Sequence, residues 1–82
     1  MRSAGIVIFV SLHGDMLVVQ HDSGYTVVEL EGELGAIRLG DRVAAEWNTI
    51  GTEDLLYDDR KLDAYFHGTR MNRAAAIRAA SS

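Results

Sequence analysis

The amino-acid sequence predicts an all-β protein, a small antiparallel barrel of five or six strands followed by a short, marginal C-terminal helix. Two observations in the body of the chain predict the barrel. Eight glycines stand at positions 5, 14, 24, 32, 35, 40, 51 and 68, with short runs of β-branched, aliphatic and aromatic residues between them. Tight Gly turns at about ten-residue spacing mark an antiparallel meander. The other observation is the segment 42–48, where Val43, Ala45 and Trp47 alternate with Arg42, Ala44, Glu46 and Asn48. That period of two puts one face in a core and the other in water. The helix is predicted by the Ala- and Arg-rich composition of residues 69–82.

Residues 5–10 form the first strand, with Ile6, Ile8 and Val10 on one face and Val7 and Phe9 on the other. Both faces are apolar and cannot both point into one barrel, so the outer one needs a cover: the tail helix, a partner chain or a second copy. Leu12-His13-Gly14-Asp15 turns the chain into a second strand over 15–20. In His21-Asp22-Ser23-Gly24 the Asp and Ser satisfy local backbone groups and the Gly admits a positive φ, so 25–30 is the third strand. Residues 31–40 show no sustained period and read as a loop with one helical turn around 36–39. After the strand at 42–48, residues 55–57 and 61–67 pair around the turn Asp58-Asp59-Arg60. Leu62, Ala64 and Phe66 share the inner face of this last strand.

The barrel domain is expected over 1–68 and the helical tail over 69–82. Thr69 follows Gly68 as a candidate N-cap. Met71 and Ile77 fall on different helix faces, so the tail lacks a continuous apolar stripe and is expected to fray. Charge repeats the division. Residues 1–67 carry five basic and twelve acidic side chains, a balance of −7, and residues 68–82 carry Arg70, Arg73 and Arg78 with no acid, which together give the chain its −4.

At 82 residues the chain is bounded to one domain. Area scaling leaves it roughly 4,900 Å² of surface when folded. It contains no cysteine, so it has no disulfide, thiolate metal site or cysteine nucleophile. Small secreted domains usually carry such staples, so the expected compartment is the cytoplasm. The apolar run 6–10 has five residues, short of a signal peptide and of a transmembrane helix, and no membrane association is expected.

Leu39-Gly40-Asp41-Arg42-Val43 carries a resemblance. A Leu-Gly-Asp-x-Val entry to a strand, after a Gly-rich meander with Gly5-x-Val7, Gly14 and Val18, and Gly24 to Val28, resembles small barrels of the OB-fold kind. It is similar in particular to the RNA-binding barrel repeat of translation factors and exoribonucleases, over residues 5–67. Src-homology-3-like barrels use the same turn and are the alternative architecture. The resemblance implies a ligand lying across the second and third strands, on aromatic platforms in a positive groove. Those strands and their turn offer Tyr25 and His21, no Lys or Arg, and the acids Asp15, Asp22 and Glu29, with Glu31 and Glu33 just beyond.

The remaining chemistry is sparse. His13, His21 and His67 sit at strand ends or turns, and His21 with Asp22 and Asp15 is the one set that a barrel rim could gather around a metal. No metal or other cofactor is expected, because the spacing shows no ligand pattern. The pairs Glu31/Glu33, Glu53/Asp54 and Asp58/Asp59 read as turn and solvation residues. No Gly-x-Ser-x-Gly elbow or phosphate loop occurs, so the protein is expected not to be an enzyme. Tyr25, Tyr57 and Tyr65 are the candidate interaction face, and Arg70, Arg73 and Arg78 the candidate contacts to phosphate or to a partner. The expected role is a non-enzymatic protein-interaction or accessory module, self-association included. The alternative is single-stranded RNA or DNA binding, disfavoured by the acidic body, with Tyr25 stacking on a base.

Overall fold

Turn chemistry sets the strand boundaries in the computed structural model, which describes residues 2–32 and 37–81. Six strands and one helix follow in order: β1 (Ser3–Val10), β2 (Met16–His21), β3 (Gly24–Leu30), β4 (Arg42–Ala45), β5 (Gly51–Tyr57), β6 (Arg60–Met71) and α1 (Arg73–Ser81). The strands close into a barrel in the order β1-β2-β3-β6-β5-β4, with every neighbouring pair antiparallel. The surface is 4749 Å², close to the expectation from chain length.

The β2–β3 hairpin closes at His21↔Gly24, and Gly24 takes a φ of 128°. The β5–β6 hairpin closes at Tyr57↔Arg60, with Asp58 at a φ of 55°, a conformation that Asp tolerates. Before β4, the Asp41 carboxylate accepts the Arg38 N–H at 2.9 Å and Gly40 has a φ of 89°. The Asp41 N–H returns to the Arg38 carbonyl at 3.1 Å. This turn replaces the helical turn expected over 36–39. Ala36 lies outside the described residues, and Ile37 is buried in the core.

Barrel interior and outer face hold separate cores. Inside pack Val7, Leu17, Val19, Val28, Leu30, Ile37, Val43, Ala45, Trp47, Leu55, Leu62, Ala64 and Phe66. The inward parity expected for Val43, Ala45 and Trp47, and for Leu62, Ala64 and Phe66, is thus present. The hydrogen-bonded strand β4, however, ends at Ala45 rather than Asn48. Beyond it the chain crosses the barrel mouth, and the Trp47 indole N–H donates to the Ser3 carbonyl at 2.8 Å.

A bulge corrects the expected parity of β1. Val7 pairs with Val19 but Phe9 pairs with Val18, so one residue is inserted and the alternation inverts. Val7 and Val10 both pack on the interior core, while Ile8 and Phe9 both pack on the outer one. The cover this outer patch requires is α1. Ala76 and Ala80, four residues apart, are buried against Val18 and Val27. Two alanines let the helix approach β2 and β3 closely, so the short helix docks without the long apolar stripe it lacks.

The helix also starts later than expected, and Thr69 is not its cap. β6 runs on to Met71, with a bulge in which Arg70 takes a φ of 57°. The Thr69 hydroxyl instead donates to the Trp47 carbonyl. Asn72 caps α1, its side-chain oxygen accepting the Ala75 N–H at 2.8 Å.

Candidate functional site

Side chains fill the barrel interior, and one of its mouths is plugged. Trp47 lies across that mouth, stacked on Phe66 at 5.6 Å on the inner side and under the His21 ring at 4.9 Å on the outer side. His21 comes from the end of β2, where the 17-19-21 parity turns it inward. Its Nδ1 accepts the Ser23 N–H at 3.2 Å, so Nδ1 is bare and the ring proton sits on Nε2, directed at the Thr26 hydroxyl 2.7 Å away. Both nitrogens are occupied only in this neutral tautomer. Burial lowers the His21 pKa from 6.5, opposed by the nearby Asp22 charge.

The metal set considered from the sequence is not brought together. Asp15 accepts a hydrogen bond from Ser11 at 2.9 Å at the far end of β2 from His21. The six residues of that strand span roughly 20 Å. His13 belongs to the β1–β2 turn, and His67 faces outward from β6, 2.7 Å from Glu29 with Tyr65 tilted against it at 4.8 Å. Among the described residues there is no group of three or more His, Cys, Asp or Glu side chains able to hold a metal ion.

The three tyrosines do not share a patch. Tyr25 packs on the outer core beside α1, and Tyr57 packs on the interior core at the other end of the barrel. A hydrogen bond with Asp41 raises the Tyr57 pKa above 10.0. Tyr65 is 38% exposed on β6, between Thr52 of β5 and Glu29 of β3. Along β3, Glu29 is four residues from Tyr25, a separation of roughly 13 Å. Arg70, Arg73 and Arg78 are exposed, and the Arg70 guanidinium reaches the Asn48 side chain at 3.4 Å. The helix that carries Arg73 and Arg78 occupies the outer faces of β2 and β3. Of the acidic pairs, Asp58 and Asp59 are exposed in their turn, Asp54 lies 3.9 Å from Arg2, and Glu33 lies outside the described residues.

Sequence reading missed the flank opposite α1. There Ala4 and Ile6 of β1, Arg42 and Ala44 of β4, Leu56 of β5 and Asp58 line two adjoining shallow depressions that share Ala4 and Arg42. The signal was present in the alternation of β4, which already placed Arg42 and Ala44 outward. What it could not supply was the neighbouring strands.

Fold and surfaces together define a filled, six-stranded antiparallel barrel with one flank under a helix and the other flank open. Comparisons with protein-family models, curated proteins and solved structures yield no match.

Proposed function

We propose that this protein is a non-enzymatic interaction module that docks another protein surface. The observation that carries the reading is the set of large aliphatic side chains held out in water while the interior is full. Leu12 is 96% exposed, Leu39 68% and Ile50 66%, all of them on loops. Leu12 and Leu39 lie toward one end of the barrel and Ile50 at the other, so they are separate anchor points on loop tips, and as such support contact with a partner rather than forming one patch. An interior taken up by side chains also favours a role for the surface.

Nucleic-acid binding in the manner implied by the OB-like resemblance is the less favoured reading. The faces of β2 and β3 on which a strand would lie are occupied by α1, and Tyr25 packs beside it. Neither strand carries a Lys or Arg to meet phosphate. No helix among the described residues is long and apolar enough to cross a membrane. The absence of cysteine supports a reducing compartment such as the cytoplasm.

The test is affinity capture from the native cell with the wild type and with a Leu12→Ser/Leu39→Ser/Ile50→Ser variant, alongside a labelled single-stranded oligonucleotide. The expected result is a protein retained at high salt by the wild type and lost by the variant. Oligonucleotide binding that falls steeply with salt, with no protein retained, overturns the reading.

A further inference from the structure

On the reading that the protein works through its surface, we propose that the open flank of β1, β4 and β5 is a self-complementary docking face for a second copy of this chain. The two copies are related by a two-fold axis parallel to the strands above the β4–β5 seam. In this arrangement Arg42 of each copy meets Asp58 of the other, and Ala44 of each meets Leu56 of the other.

The pairing registers lay out this face as a small grid. Ala4 pairs with Ala44 and Ala44 pairs with Leu56, which makes one row across three strands. Ile6 pairs with Arg42, the next outward row of β1 and β4. Continuing β5 past Leu56 brings Asp58 beside Arg42, and both line the same depression. Ile6 is 37% exposed and Ala4 is exposed, so the apolar part of the face lies open to water. The α1 helix covers only the opposite flank.

Charge and size select the occupant. Arg42 and Asp58 are both exposed, and neither forms an ion pair or side-chain hydrogen bond with a described residue. A two-fold axis between their columns sets each against its opposite on the other copy, because residue i meets j and j meets i in such an interface. The same operation sets the small Ala44 against the larger Leu56. An axis along the other direction of the grid sets Arg42 over Ala44 and leaves both charges unmatched. A standard interface takes about 800 Å² from each partner, roughly a sixth of this molecule's 4749 Å², so a dimer on this flank would also draw in the side chains around the six named residues.

The experiment is sedimentation of the full chain over a range of concentrations, for the wild type, Arg42→Glu, Asp58→Arg and an equimolar mixture of the two variants. The wild type should form a dimer. Each variant alone places like charges together twice and should raise the dissociation constant about 100-fold. The mixture should return dimers. In one contact the new carboxylate at position 42 meets the new guanidinium at position 58, and in the other the native pair forms. A second measurement uses the absence of cysteine in the chain. Mixed Ala44→Cys and Leu56→Cys proteins should form a disulfide-linked heterodimer faster than either forms a homodimer. A wild type that stays monomeric overturns the proposal. So does a dimer that both variants leave intact, or one that the mixture fails to restore. None of these outcomes depends on the loop residues tested by capture, so the two readings fail separately.

Discussion

Gly5 and His21 show how single residues hold the plug in the barrel mouth. A Cβ on Gly5 would stand 2.5 Å from the Val19 Cγ1, 3.0 Å from the Gln20 carbonyl and 3.1 Å from the Trp47 ring. Backbone and a core side chain both oppose it, so Gly5→Ala should destabilise the protein by about 1–3 kcal/mol in chemical denaturation. His21 adds a pH dependence. Its folded-state pKa lies below 6.5, chiefly through burial, so the unfolded chain takes up the proton first as pH falls. Its contribution is therefore complete above about pH 6.5 and is lost as pH drops through 6.5 toward the folded value. The protonated ring would also forfeit the Ser23 hydrogen bond, since Nδ1 could no longer accept. In a His21→Gln variant that dependence disappears. The stability difference between wild type and variant should shrink between neutral pH and about pH 5. Trp47 is the only tryptophan, so its fluorescence reports both unfolding and the loss of the stack.

The helix α1, like the strands, owes its stability to tertiary contact. Nine residues are too few for a helix to persist alone in water. Its anchors are the Asn72 cap and the buried pair Ala76 and Ala80. Asn72→Ala should cost about 1 kcal/mol. Ala76→Asp places a charge against Val18 and Val27 with nothing to pair it, and should cost about 3 kcal/mol or detach the helix. Ala74→Asp, on the exposed side, should stay within about 0.5 kcal/mol of wild type. Thermal melts and helical circular dichroism of the three variants check the assignment. Equal effects at positions 74 and 76 would mean that α1 does not dock as described.

For the molecule as a whole, closure is uneven. β2 and β3 share six ladder pairs and β5 and β6 share seven, whereas β4 and β5 are joined only at Ala44↔Leu56. The barrel should open first along that seam. In native-state hydrogen exchange of dilute protein, amides of β4 and the facing edge of β5 should lose protection well before those of β2 and β3. Uniform protection around the barrel would contradict this. The position of the seam also bears on the dimer, because the proposed two-fold axis passes over it and a second copy would bridge strands that share one backbone pair.

Much of this was legible in the residues. Alternation in 42–48 placed Val43, Ala45 and Trp47 inside, and the Gly, Asp and Ser turns located the strands, because both signals are local and follow from backbone geometry. The two-sided apolar β1 correctly announced that something must cover an outer face. Three outcomes were not legible. The bulge that inverts β1, the extension of β6 through a left-handed Arg70 and the docking of α1 each depend on what lies across from the segment. Local chemistry was enough for the all-β class, the hairpin turns at 22–23 and 58–59, the inner faces of 43–47 and 62–66, and the separation of an acidic body from a basic tail. Strand order, the flank that the helix covers and the side chains left open beside Arg42 emerged only in three dimensions. Those depend on contacts between residues distant in the chain, such as Ala4 with Ala44 and Ala76 with Val18, which local periodicity does not encode.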